Sequence, residues 1–260
     1  MQGDIEIEAI PFTPLARRYV TLKDRPSAER LEEAKATTAA ELAREFEASV
    51  AAFAQFLTKQ PFFERDPARD EGKDAKSDAR TYGWAMALKD QERVDADGDD
   101  ELAFRYVERE IVPTRTRPQL PFDDEKGQAI RVDLILANAS TGRPIIGELK
   151  IAADKDPYTG LIQALAGASQ LVSPQQRKRL NDCLEREIAP YEDERVVDVY
   201  VLLAKFPARG RDRFDQLDAA VRLAAELETE PEIRRYLGRI RILAIERQVA
   251  ATANLPQPAT

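Results

Sequence analysis

The sequence predicts a mixed α/β chain, and three observations carry that expectation. Apolar residues recur at helical spacing over 28–58, two strand-like segments flank a polar turn within 130–151, and a strongly β-branched run, Val196-Val-Asp-Val-Tyr-Val-Leu-Leu-Ala204, follows a helical stretch. In order, residues 4–10 (Asp-Ile-Glu-Ile-Glu-Ala-Ile) alternate polar and apolar, which predicts a short half-buried strand. Ser27, after Pro26, is expected to cap one long helix over 28–58. Its stripe of Leu31, Leu42, Phe46, Val50, Phe53 and Leu57 would pack on a core or a partner. Residues 64–80 hold no aliphatic side chain larger than Ala and read as a mobile loop or linker. Trp84 and Tyr82, just beyond, are expected as packing anchors.

Asp95-Ala-Asp-Gly-Asp-Asp100 starts like a calcium loop, but its sixth position is Asp100 rather than Gly and its twelfth is Tyr106 rather than Glu. It reads instead as a turn capping a helix over 101–110. A strand at 111–120, a hairpin of 130–137 and 144–151, a helix at 158–172 and a strand at 196–204 follow. From residue 101 the expected order is therefore α-β-β-β-α-β. Helices near 214–228 and 231–237, a strand at 239–247 and a polar, proline-bearing tail complete the chain. The expected division is 1–95 as an N-terminal extension of strand, long amphipathic helix and charged linker, 96–250 as the main domain and 251–260 as a flexible tail.

Composition removes whole classes of chemistry. The chain has no histidine and one cysteine, Cys183, so Ser-His-Asp and Cys-His triads, histidine-based zinc sites and an intrachain disulfide are all excluded. Catalysis would have to use Asp, Glu, Lys, Arg, Tyr, Ser or an oxygen-held metal. No run of about 18 apolar residues is present. The opening Met1-Gln-Gly-Asp-Ile-Glu-Ile-Glu is acidic where a signal peptide would be basic, so no membrane association and a cytoplasmic location are expected. Net charge is −8, and residues 1–100, with 15 Lys+Arg against 22 Asp+Glu, hold most of the excess. Beyond residue 100, local basic clusters stand at Arg115/Arg117, Arg177-Lys178-Arg179, Lys205/Arg209/Arg211/Arg213 and Arg234/Arg235/Arg239/Arg241. Gly142-Arg-Pro-Ile-Ile-Gly147 has the glycine spacing of a phosphate loop, but Glu148-Leu149 stands where Lys-Ser/Thr is required.

The hairpin holds the constellation that carries chemistry. If the strands pair symmetrically about the turn Asn138-Ala-Ser-Thr-Gly-Arg143, opposed residue numbers sum to 281, and Asp133 faces Glu148. Side chains alternate along a strand, so Val132, Leu134, Leu136, Ile145, Gly147 and Leu149 form the core face. Arg131, Asp133, Ile135, Ile146, Glu148 and Lys150 form the other. Two opposed carboxylates repel unless a divalent cation, which prefers carboxylate oxygens, neutralises them. Lys150 points the same way and could orient or deprotonate a water or stabilise developing negative charge; the Leu149 carbonyl could be a further ligand.

These residues resemble the PD-(D/E)xK superfamily of restriction-endonuclease-like nucleases. Asp133 matches the family's first acid and Glu148-Leu149-Lys150 its Glu-x-Lys, within 101–206. The resemblance implies a restriction-endonuclease-like α-β-β-β-α-β core with a mixed sheet. It also implies an acid on the preceding helix, for which Glu101 is the better match and Glu108 the alternative, and Gln163 on the following one. Arg131-Val132 stands before Asp133 where the family often has Pro, and Gly167 stands where one branch has Tyr four residues after the Gln. Gln163, Gly167 and Gln170 would share a helical face open to a phosphate backbone. The implied activity is Mg²⁺- or Mn²⁺-dependent hydrolysis of phosphodiesters, in DNA rather than RNA. Asp133, Glu148, Lys150 and Gln163 would be catalytic, and Asp133, Glu148, Leu149 and Glu101 metal-binding. The alternative is an inactive nuclease fold binding nucleic acid or a protein, with the N-terminal helix available for a partner or self-association.

Overall fold

The computed structural model describes residues 12–59, 64–65, 78–96, 99–113, 130–151, 156–184, 188–189, 196–204 and 211–245. The expected strand at 4–10, the region 114–120 with Arg115 and Arg117, Lys205, Arg209 and the tail lie outside the described residues.

Three helices open the chain. α1 (Pro14–Lys23) is capped by the Thr13 hydroxyl, which accepts from the Ala16 amide at 3.3 Å, with Pro at its first position. The expected 28–58 helix is two, α2 (Ser27–Ala36) and α3 (Ala39–Lys59). Thr37 turns extended and ends α2; Thr38 then caps α3, its hydroxyl accepting from the Glu41 amide at 3.2 Å. Thr-x-x-Glu at 38–41 is a capping-box signature inside what reads as one periodic run. Ser27 does not cap α2. Its hydroxyl and carbonyl accept from the Gln216 amide instead, at 3.0 and 3.1 Å.

The stretch read as a linker is partly regular: Glu64–Arg65 is a short strand, β1, and α4 starts at Asp78 and runs to Lys89. After β2 (Val94–Ala96), the expected helix over 101–110 is a strand, β3 (Asp99–Val112). Its period-2 apolar set, Leu102, Phe104 and Tyr106, faces one core, and Val107 and Ile111 face the other. Pairing with β4 (Val132–Asn138) shifts by one residue between Tyr106 and Glu108, which accounts for the switch. β5 (Pro144–Ile151), α5 (Pro157–Leu171), α6 (Pro174–Leu184), β6 (Val197–Ala204), α7 (Arg211–Leu227), the short α8 (Pro231–Arg234) and β7 (Leu237–Ala244) follow.

Among the described residues the sheet runs β1-β3-β4-β5-β6-β7, with β2 also paired to β3. β3, β4 and β5 form an antiparallel meander; β6 and β7 add parallel to β5. The β5-to-β6 connection must cross over, and α5 and α6 lie within it. The hairpin turn is held by the Asn138 carboxamide, which accepts from the Ser140 and Thr141 amides at 3.1 and 2.9 Å, and Gly142 takes the left-handed conformation (φ 69°).

Two apolar cores sandwich the sheet. The smaller joins Trp84 and Leu88 of α4 to Leu134, Leu136, Ile145, Leu149, Tyr200 and Leu202, so Trp84 is the anchor expected of it. The larger lies under α5, which packs on the sheet and on α1, α3 and α7, and is buried on every side except at Gln163. Leu15, Leu42, Phe46 and Val50 belong to this core. Leu31, Leu42, Phe46, Val50 and Phe53 of the stripe offered for self-association are already buried inside the chain, and the N-terminal helices form a layer over α5.

Candidate functional site

The site grows from the hairpin register. Leu134 pairs with Gly147, Ile135 with Ile146, Leu136 with Ile145 and Ala137 with Pro144, the symmetric register that the turn implies. One step further, at Asp133, the side chain enters the ladder: its Oδ2 accepts from the Leu149 amide at 3.1 Å. Asp133 is thereby anchored to β5 between Glu148 and Lys150.

Neither Glu148 nor Lys150 lies on an exposed polar face. Both sit on the α5 side of the sheet, 2% and 6% exposed, where Ile135 and Ile146 are core residues. The reason is α5, which covers this surface. Val132, expected on the face with Leu134, packs with the α5-side core. Lys150 Nζ lies 2.9 Å from Glu148 Oε1 and donates to Gln163 Oε1 at 3.1 Å. Burial pushes the Glu148 carboxyl well above the usual carboxylate range, the charge of Asp133 adds to this, and Lys150 opposes it.

Asp133, Glu148, Lys150 and Gln163 therefore converge from β4, β5 and α5. Glu101 does not join them. It opens β3 rather than a helix, is exposed, and pairs with Arg239. Its carbonyl accepts from Asn138 Nδ2 at 2.8 Å, and Asn138 is five residues along β4 from Asp133, about 17 Å in a strand. Glu108 is opposite Ile135, and its carboxylate accepts from the Arg109 amide at 2.9 Å. Sequence reasoning passed over Glu110, which with Asp133 falls between the pairs Arg109–Leu134 and Ile111–Val132 and has a left-handed backbone (φ 53°). A strand reading of 99–112 is the signal that would have found it. Among the described residues, no group of three or more Asp, Glu or Cys is placed to share a metal ion.

The expected open face of α5 is closed beyond Gln163. A Cβ on Gly167 would meet Val132 Cγ2 at 3.0 Å, and Gln170 is buried, donating to the Ile130 and Ala166 carbonyls. The described basic clusters are largely paired. Lys178 pairs with Asp182, Arg235 with Glu47, Arg239 with Glu101 and Arg241 with Glu228, while Arg177 is buried.

No known family, curated protein or solved structure matches the chain. No helix among those described is long and apolar enough to cross a membrane.

The donor set suits a small hard cation. Mg²⁺ commonly binds proteins through one or two carboxylates and completes its shell with water and substrate phosphate. Asp133 and Glu148 are such a pair, and the repulsion between them contributes to the raised affinity of Glu148 for a proton.

Proposed function

We propose that this protein is a metal-dependent nuclease of the PD-(D/E)xK type, hydrolysing phosphodiester bonds in DNA. The observation that carries the reading is the convergence of Asp133, Glu148, Lys150 and Gln163, with Lys150 hydrogen-bonded between its strand neighbour Glu148 and Gln163 of the following helix. The element order α4-β2-β3-β4-β5-α5-α6-β6, an α-β-β-β-α-β succession once the short β2 and α6 are set aside, with β6 parallel to β5, supports it as well. The helix before the meander is then α4, not the segment at 101–110.

Mg²⁺ or Mn²⁺ would be held by Asp133, Glu148 and the Leu149 carbonyl, and when bound would supply positive charge at the scissile phosphate and a more acidic water. The Leu149 amide fixes Asp133 in its orientation. Gln163 Oε1 fixes the Lys150 ammonium, whose charge would favour the attacking water in its deprotonated form and offset charge developing on the phosphate. Gln163 is the partly exposed residue of α5, so the phosphate would approach between it and Asp133, which is also partly exposed. With net charge −8 and its described basic clusters largely paired, the protein gives DNA little general attraction, and binding would depend on the ion.

A second reading, a nuclease fold without cleavage, draws on one observation: the Lys150 ammonium itself neutralises Glu148. One experiment separates the two. Linear and supercoiled DNA are incubated with the protein and Mg²⁺ or Mn²⁺, alongside Glu148→Gln. Metal-dependent cleavage lost in the variant supports the nuclease. DNA left intact by the native protein with either ion, while calorimetry records no Mn²⁺ binding that Asp133→Ala abolishes, would refute it.

A further inference from the structure

The first two turns of α5 hold a glycine where a helix gains nothing from one. Gly160 has no left-handed backbone angle, and glycine inside a helix is less favourable than alanine. The surroundings supply the reason. A Cβ at this position would lie 3.2 Å from both Cγ and Cε of Lys150 and 3.1 Å from Val201 Cγ1. The lysine stem therefore packs so close to the helix at 160 that a side chain there would need it, or Val201, to give by a few tenths of an ångström. One turn later Gln163 receives the ammonium at 3.1 Å, and Glu148 stands 2.9 Å away on the strand below. Stem and head are thus both placed by α5: the stem by an absence at 160, the head by the amide oxygen at 163.

By contrast, a Cβ on Gly83 in α4 would meet nothing within 4 Å. Gly167, the other glycine of α5, would meet only Val132 Cγ2 and leaves Lys150 untouched.

We infer that Gly160 is a positioning residue for Lys150, its missing side chain forming the slot that carries the ammonium to Glu148 and Gln163. The inference rests on the nuclease reading for what Lys150 does, whereas the placement of the lysine is testable apart from it. A methyl group at 160 must displace the stem, Val201 or the helix. Of these the lysine stem is the flexible neighbour, so it gives first, and its shift is read at the ammonium end.

The test uses the full chain. Protein carrying ¹³C-labelled lysine gives an NMR signal for Lys150 Cε, assigned by its absence in Lys150→Arg. Gly160→Ala is expected to shift or broaden that signal, and Gly83→Ala is expected to leave it unmoved. A double-mutant cycle then asks whether the two positions are coupled. It is run in Glu148→Gln protein so that shortening the lysine leaves no buried carboxylate unpaired. With Lys150 present, Gly160→Ala should lower Tm by up to about 10 °C, the loss from an over-packed methyl less the gain of alanine over glycine in a helix, in a chain of this size. With Lys150→Ala, the slot is empty and the loss should fall to half of that or less. An unmoved Cε signal together with equal Tm losses in both backgrounds would overturn the assignment, as would failure of Gly160→Ala to fold in both, because Val201 or the helix alone would then demand the glycine. Folding only when Lys150 is replaced by Ala would support it. Should the coupling hold while the native protein cleaves no DNA with Mg²⁺ or Mn²⁺ and shows no Mn²⁺ binding that Asp133→Ala abolishes, the slot stands and the nuclease reading falls.

Discussion

Replacing Lys150 by Met keeps the alkyl stem in place and removes the charge, so it isolates what the ammonium does. The pair is nearly dry: the side chains of Lys150 and Glu148 are 7% and 2% exposed. Removing one member of such a pair costs about 3–5 kcal/mol when the other is left charged. The cost depends on pH through Glu148, whose carboxyl sits well above its ordinary 4.5 because of burial first and Asp133 second, with Lys150 pulling it down. An acid whose folded pKa is raised contributes stability that is complete below its unfolded pKa and is lost as pH rises through the folded value. Without Lys150 that folded value climbs further, and each additional unit deepens the loss by about 1.4 kcal/mol. Lys150→Met should therefore track the native protein in acid, both losing stability together above pH 4.5, and fall behind only once pH passes the native folded value of Glu148, reaching a deficit of about 3–5 kcal/mol at alkaline pH. Urea unfolding of both proteins across that range measures it. Glu148→Gln combined with Lys150→Met should recover most of the stability and flatten the curve. A deficit of the same size at every pH would refute the reasoning, since packing of the stem end rather than charge would then be at stake.

Phe46→Ala should cost about 3–5 kcal/mol in urea unfolding, because this fully buried side chain belongs to the core shared by α3 and α5; a loss under about 1 kcal/mol would show the N-terminal layer to be loosely attached. For the same reason, deleting residues 1–59 should give a protein that fails to fold cooperatively, and a sharp thermal transition in that truncation would contradict the shared core. Tyr158→Phe removes a hydroxyl that lies 3.0 Å from Thr37 Oγ1 and 3.3 Å from Arg18 Nη1, and should lower stability by about 1–2 kcal/mol. Greater stability of the Tyr158→Phe variant in the same assay would mean that burying the hydroxyl costs more than its bonds return. Asp133→Asn should weaken Mn²⁺ binding measured by calorimetry while retaining the Leu149 amide bond through its carbonyl oxygen; undiminished affinity would remove Asp133 from the cation site.

The register of the hairpin was legible in the amino-acid order alone. A turn of Asn, Ser, Thr and Gly between two short apolar runs leaves few pairings, and a slip of one residue would move every side chain to the wrong face. That register brings Asp133 beside Glu148, and the period of the strand puts Lys150 on the same face. The absence of histidine likewise needed no structure to narrow the chemistry. What covers what was settled only by the packing of distant elements. Leu102, Phe104, Tyr106, Val107 and Ile111 suit a helix as well as a strand with one irregularity, and only pairing with β4 selects the strand. Glu101 is thereby carried away from the site and Glu110 brought level with Asp133. The period of β5 cannot say whether the face of Glu148 and Lys150 meets water or a helix, because that depends on α5, which in turn is enclosed by α1, α3 and α7. Burial is a property of which elements meet across long stretches of chain. It decides the proton affinity of Glu148 and the confinement of Lys150, so the nearness of Asp133, Glu148 and Lys150 was legible in the sequence and its energetics were not.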